Sequence, residues 1–251
     1  MFRLLVGFSY DGSLFTGFQR GNGNRSIEDE IQNCMDKFSL GINLRCASRT
    51  DRNVSALCNF LTLDTGQDPK KIMGILNSEI RGMTFHSYAH VGDHFNVRHA
   101  TMKEYAYIIP SRSIDHEILS ERLHKFEGTH DFKNFCRPEG KNTVREIKKI
   151  WLSEMSGLPA VFFRARGFLW NQIRFIMGYG LMPENRSEDP FSEDWPRKLA
   201  PPYNLILVKI EYEGIKTETY INRSIFKYME SERDKKRSSY AYYNALSEYL
   251  I

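Results

Sequence analysis

Apolar positions along the chain fall into alternating strand-like runs and helix-spaced stripes, and their order repeats. Leu4 to Tyr10 reads as a strand. Ser26 and Asp29 form a capping box ahead of a stripe of Ile27, Ile31, Cys34, Met35 and Phe38, the spacing of one helix face. Asn43 to Ala47 and Leu57 to Leu63 read as strands around a short polar turn. Pro69 opens a second helix carrying Ile72, Ile75, Leu76 and Ile80, and Gly82 stops it. Thr84 to Val91 closes the unit as a strand.

The second half repeats this order. Glu104 to Ile109 is a strand ended by Pro110, and Ile114 to Phe126 a helix with Ile118, Leu119, Leu123 and Phe126 in register. Val144 to Glu154 and Val161 to Arg166 pair across Gly157-Leu158-Pro159, Leu169 to Tyr179 is helical, and Leu205 to Tyr212 is a strand. Two βαββαβ units predict an α+β fold of two tandem ferredoxin-like halves, residues 1–98 and 99–251, joined into one extended antiparallel sheet with a central cleft. The segment 183–202, rich in proline, acid and serine, reads as a loop. The charged run near 231–239 reads as a solvated helix end in a C-terminal helical tail.

Composition narrows the classes. The chain has 251 residues, 41% hydrophobic and 13% aromatic, enough for a sizeable core. No apolar run approaches the roughly 20 residues a membrane helix needs, and the first strand begins so early that no signal peptide is expected. The net charge of +4 is mildly basic. Cations recur near loops that also hold aromatics: Arg20 and Arg25, Arg49 and Arg52, Arg137 and Lys141, Arg164 and Arg166, with Phe15, Phe18 and Phe135. Interleaved cations and aromatics suit RNA, where phosphates need countercharge and bases need stacking surfaces. Cys34, Cys46, Cys58 and Cys136 form no CxxC pair, which predicts free thiols and a reducing, cytoplasmic setting. His86, His90 and His94 repeat every four residues, but on a strand such positions lie roughly 13 Å apart. One metal ion binds each ligand at about 2 Å, so no metal is assigned there.

The polar turn is the most informative stretch. Ser48-Arg49-Thr50-Asp51-Arg52-Asn53-Val54-Ser55-Ala56 sets one carboxylate between two arginines, an arrangement that favours its charged form and faces an anionic partner well. An aspartate capping its own turn would look the same.

Taken with later segments, this turn resembles the TruA family of tRNA pseudouridine synthases, whose signature is Gly-Arg-Thr-Asp-x-Gly-Val-His-Ala. Tyr10-Asp11-Gly12 with Gly17-Phe18-Gln19-Arg20 matches the family's opening loop, and Phe95-Asn96-Val97-Arg98 leads into its central strand at Tyr105 to Ile109. Asp131-Phe132 to Phe135, Phe168 to Gly178, and Ala200-Pro201 to Leu207 follow in the family's order, so the resemblance spans residues 3–212. Asn53 stands where the signature has a glycine of positive φ, a conformation asparagine tolerates. Ser48 and Ser55 replace its glycine and histidine.

The resemblance implies isomerisation of uridine to pseudouridine, at tRNA positions 38–40 of the anticodon stem-loop, by a homodimer whose tRNA crosses both subunits. It implies Asp51 as the catalytic carboxylate, either attacking as a nucleophile or removing the C2′ proton. Tyr105 is the residue that stacks on the base and takes the C5 proton, and Arg174 is the partner of Asp51. Arg49 helps displace the nucleotide, and Arg52, Phe18, Gln19, Arg20 and Arg98 complete the candidate RNA-binding set. Isomerisation involves no redox change or net hydrolysis, so no cofactor is expected. Two rival readings are a non-catalytic RNA-binding protein of the same fold and a synthase acting elsewhere in tRNA. A metal-dependent nuclease would want clustered carboxylates, and the acidic residues between Glu184 and Asp194 have no matching set elsewhere.

Overall fold

The computed structural model describes residues 1–21, 25–109, 114–137, 140, 142–182, 189–191, 198–220 and 223–249. Pro110, Lys141 and most of the 183–202 segment, with all of its acidic residues but Asp189, lie outside the described residues.

The elements run β1 (Phe2–Tyr10), α1 (Ile27–Phe38), β2 (Ile42–Cys46), β3 (Ser55–Thr65), α2 (Pro69–Glu79) and β4 (Met83–Val91). Then follow β5 (Met102–Ile108), α3 (His116–His124), β6 (Gly128–Asp131), β7 (Val144–Met155), β8 (Leu158–Ala165), α4 (Gln172–Gly180) and β9 (Leu205–Glu211). A two-residue strand, β10 (Glu218–Thr219), and a long helix, α5 (Arg223–Tyr249), complete the chain. No helix among the described residues is long and apolar enough to cross a membrane.

The caps explain several boundaries. Ser26 Oγ accepts the Asp29 N–H at 3.1 Å and donates to the Asp29 carboxylate at 2.6 Å, the reciprocal pattern that starts α1. Asp68 caps α2 ahead of Pro69. Asp115 accepts from the N–H groups of Glu117 and Ile118 and starts α3. That cap starts α3 two residues after Ile114, where the apolar spacing predicts it to start.

All large strands join one sheet in the order β10-β4-β1-β3-β9-β5-β8-β7-β6, with β2 beside β3. Pairings within each half are antiparallel. The expected all-antiparallel sheet fails at one place: β3 and β9 are parallel, with Ser55 opposite Ile206 and Ala56 opposite Leu207. β1 runs antiparallel to both β3 and β4, and β5 to both β8 and β9; the two groups of strands meet through the parallel β3–β9 pair. Two strands were missed because they are weak in sequence. β6 is a four-residue polar strand, and β10 has two residues.

Two apolar clusters fill the molecule. Leu4, Phe8, Ile31, Met35, Leu61, Leu63, Ile72, Leu76 and Phe85 belong to the first. Tyr107, Leu119, Leu123, Phe126, Phe132, Ile150, Phe163 and Ile176 belong to the second. Tyr105 packs against both. β2 covers only the far part of β3, pairing with Leu61, Thr62 and Asp64, which leaves the start of β3 free for β9. The polar turn between β2 and β3 therefore sits at the junction of the two halves.

Candidate active site at the junction

The turn is held from behind by buried polar groups. The Asn59 side chain donates to the Ser48 carbonyl at 2.9 Å and accepts the Ser48 N–H at 3.3 Å. Thr50 Oγ1 and the Tyr10 hydroxyl lie 2.8 Å apart. The Gly12 N–H donates to Ser55 Oγ at 3.0 Å. Asn53 has φ 68°, so asparagine supplies the left-handed residue that the turn requires. Buried polar groups need such partners, because an unmet donor or acceptor costs about 1–3 kcal/mol.

Asp51 faces the second half. Its Oδ2 accepts from Arg174 Nη1 at 2.7 Å, and its Oδ1 accepts from the Trp170 indole N–H at 3.0 Å. Along the sequence Arg49 and Arg52 flank Asp51, while the family resemblance implies Arg174 as its partner. Arg49 leans toward Glu28, 3.7 Å away, and the cation on Asp51 is Arg174. Arg49 and Arg52 are exposed on the turn, whereas Arg174 approaches from α4.

Arg174 is the more enclosed partner, with 11% of its side chain exposed against 22% for Asp51. It also donates through Nε to the Ala200 carbonyl at 2.9 Å and through Nη1 to Asn171 Oδ1 at 3.0 Å. Asn171, with φ 63°, ends the loop that carries Trp170 into α4. The Arg137 guanidinium lies over the Trp170 ring, 4.9 Å from its centre.

The strand register places Ala56, Leu207 and Tyr105 in one row across β3, β9 and β5. Tyr105 meets Phe168 edge to face at 5.3 Å. Burial pushes its phenol up to about 12; the charge of Asp51 adds to this, and a hydrogen bond from Ser48 works against it. Two residues earlier on β5, Lys103 reaches back to the first half. It donates to Ser48 Oγ at 2.7 Å and to the Ala47 carbonyl at 3.0 Å, and burial lowers its amine to about 8.

These groups line a cleft of about 680 Å³, the size of a small-molecule site. Arg49, Arg52, Arg98 and Gln19 reach it from exposed positions, while Phe18 forms part of its buried wall and packs on Tyr10. Arg20 does not line it; its guanidinium is paired with Asp29 at the start of α1. The structure thus brings Asp51, Tyr105 and Arg174 together.

Sequence reasoning did not single out Trp170, Lys103 or Asn59. Strand alternation does put Lys103 on the same face as Tyr105, which was the available signal for it. Trp170 and Asn59 carried none.

A family model described as tRNA pseudouridine synthase matches residues 123–213. The tRNA pseudouridine synthase A of Thermoplasma acidophilum is 45% identical over 210 residues, 83% of each chain. The protein of the same name from Picrophilus torridus is 41% identical over 213 residues, covering 84% of this chain and 83% of that one. The one from Pyrococcus furiosus is 33% identical over 261 aligned residues, covering 99% of this chain and 97% of that one.

Proposed function

This chain belongs to the tRNA pseudouridine synthase A family, and we propose that it isomerises uridine in the anticodon stem-loop of tRNA with Asp51 as the catalytic carboxylate. One observation carries the assignment: Asp51 is held by Arg174 and Trp170 beside Tyr105, in a cleft where the two halves meet. RNA binding alone does not require an aspartate with both oxygens engaged from the opposite half.

The repeated strand order β4-β1-β3-β2 and β9-β5-β8-β7 supports reading residues 1–98 and 99–251 as tandem ferredoxin-like halves. In this reading each half supplies part of the site. The first carries the carboxylate; the second carries its cation and the tyrosine.

The substrate base lies inside a stem or a stacked loop, so it must leave the stack to reach Asp51. Arg49, whose side chain is 46% exposed at the cleft, fills the space the base vacates. Arg52 and Arg98 neutralise flanking phosphates. Asp51 then acts on the ribose–uracil unit, as a nucleophile or as the base for the C2′ proton. After the base reattaches through C5, Tyr105 takes the C5 proton. A homodimer whose tRNA crosses both subunits belongs to the same reading.

The deciding experiment uses unmodified tRNA labelled with tritium at uridine C5. Wild type should release label and Asp51→Asn should not, and mapping the product gives the position. No release across a full tRNA set would leave a binding protein. With 2′-deuterated uridine, a primary isotope effect assigns Asp51 as the base, and its absence favours attack.

A further inference from the structure

Trp170 is a large aromatic residue whose place burial does not explain. It is 45% exposed, yet its indole N–H meets Asp51 Oδ1 at 3.0 Å. The proposed reaction so far gives it no task. Resting on the reading of Asp51 as the catalytic carboxylate, we propose that Trp170 is the residue that fixes the orientation of Asp51, and that Arg137 sets Trp170 in turn.

Arg174 alone does not fix the carboxylate. A guanidinium that meets a carboxylate through two parallel N–H bonds sets its plane as well as its charge. Here the contact is single. Nη1 donates to Asp51 Oδ2 at 2.7 Å and also to Asn171 Oδ1 at 3.0 Å, while Nε is turned to the Ala200 carbonyl. A carboxylate held at one oxygen can still swing about that point. The indole N–H on Oδ1 supplies the second point and defines the plane. Each carboxylate oxygen has two lone pairs, and among the described residues each takes one donor. Asp51 is therefore oriented without being blocked.

Trp170 can serve in this way because its own place is set independently of Asp51. The Arg137 N–H donates to the Trp170 carbonyl at 3.0 Å. The Arg137 guanidinium lies 4.9 Å from the centre of the indole ring, where the ring's negative face attracts a cation. One residue thus holds both the backbone and the ring. On the other side, the left-handed backbone of Asn171 and the bond from the Leu169 N–H to Gln172 Oε1, 2.8 Å, fix the turn into α4. Trp170 and Arg137 act through Asp51 and are positioning residues. Displacing a reacting group by about 1 Å can cost about a hundredfold in rate, which is the scale of effect open to them.

The test replaces Trp170 with benzothienylalanine, incorporated at that position alone, which keeps the fused ring and puts sulfur where the N–H was. Trp170→Phe and Arg137→Met are made beside it; Arg137→Met keeps the backbone N–H and removes the cation. Melting curves and tRNA affinity report whether each protein folds and binds, and tritium release from uridine C5 gives kcat and KM. Positioning requires kcat to fall at least about tenfold with the sulfur isostere and with Trp170→Phe, and by a smaller factor in Arg137→Met. KM and affinity for tRNA should stay within about twofold of wild type. Wild-type kcat with the isostere overturns the proposal, since only the N–H has been removed. A raised KM with kcat unchanged also overturns it and makes the indole a contact surface for the RNA. A wild type that forms no pseudouridine in any tRNA overturns the reading of Asp51 with it.

Discussion

Asp51 shows how much a single carboxylate depends on what stands opposite it. Its two oxygens take one donor each, from Arg174 and Trp170, so its orientation is set from the other half of the molecule. Asp51→Asn keeps an acceptor for Arg174 and should preserve fold and tRNA binding while abolishing turnover. Asp51→Ala leaves the enclosed guanidinium unpaired, and breaking such a pair costs about 3–5 kcal/mol, which urea denaturation would register. At Asn53 the left-handed backbone makes Asn53→Ala destabilising by about 1 kcal/mol; Asn53→Gly should be close to neutral by the same measurement.

Lys103 adds a pH dependence whose sign differs from that of a paired lysine. Its amine falls from 10.5 to about 8 on folding, because burial disfavours the charge. Between those values the unfolded chain binds the extra proton, so this group's contribution makes stability rise with pH from about 8 to 10.5. Cys34 and Cys58, raised to about 11 by burial, act in the opposite direction. The difference between wild type and Lys103→Met isolates the lysine. That difference should change across this window and flatten outside it.

Among the elements, α4 is the most constrained. A Cβ on Gly178 would lie 1.9 Å from the Lys198 carbonyl oxygen, so the chain after the helix runs directly against its backbone. That approach also sets Arg174, since the Ala200 N–H donates to the Arg174 carbonyl at 3.0 Å. Gly178→Ala should push helix and strand lead apart, costing about 2 kcal/mol or more and lowering kcat with it. A thermal melt and a tritium-release assay measure both. The β2–β3 turn is constrained differently, by Asn59 and Tyr10 behind it. Its rigidity comes from paired polar groups, and from Ala47 and Val54, which are buried in the two apolar clusters at its ends.

At the scale of the whole molecule, the parallel contact between β3 and β9 merges two halves, with separate cores, into one sheet. The cleft lies along that joint and is lined by Arg49, Arg52 and Arg98. An RNA bound there releases counterions, so its affinity should fall steeply with salt. Arg52→Ala and Arg98→Ala should each weaken binding of any tRNA and reduce the slope of log affinity against log salt by about one. Unchanged slopes would place the phosphates elsewhere.

Local structure and the set of reactive side chains follow from residue order alone. Apolar spacing and caps are local properties, so β1, α1, α2, β4, β7 and β9 were legible to within a few residues. The turn signature marked Asp51, and the family resemblance implied Arg174 as its partner. Tertiary structure decided which charges meet. Arg49 is two residues from Asp51 and turns to Glu28, while Arg174, far along the chain, closes on it. The parallel joint, the indole of Trp170 and the Lys103–Ser48 bridge arise from the same cause: long-range strand pairing sets distances that no local periodicity encodes.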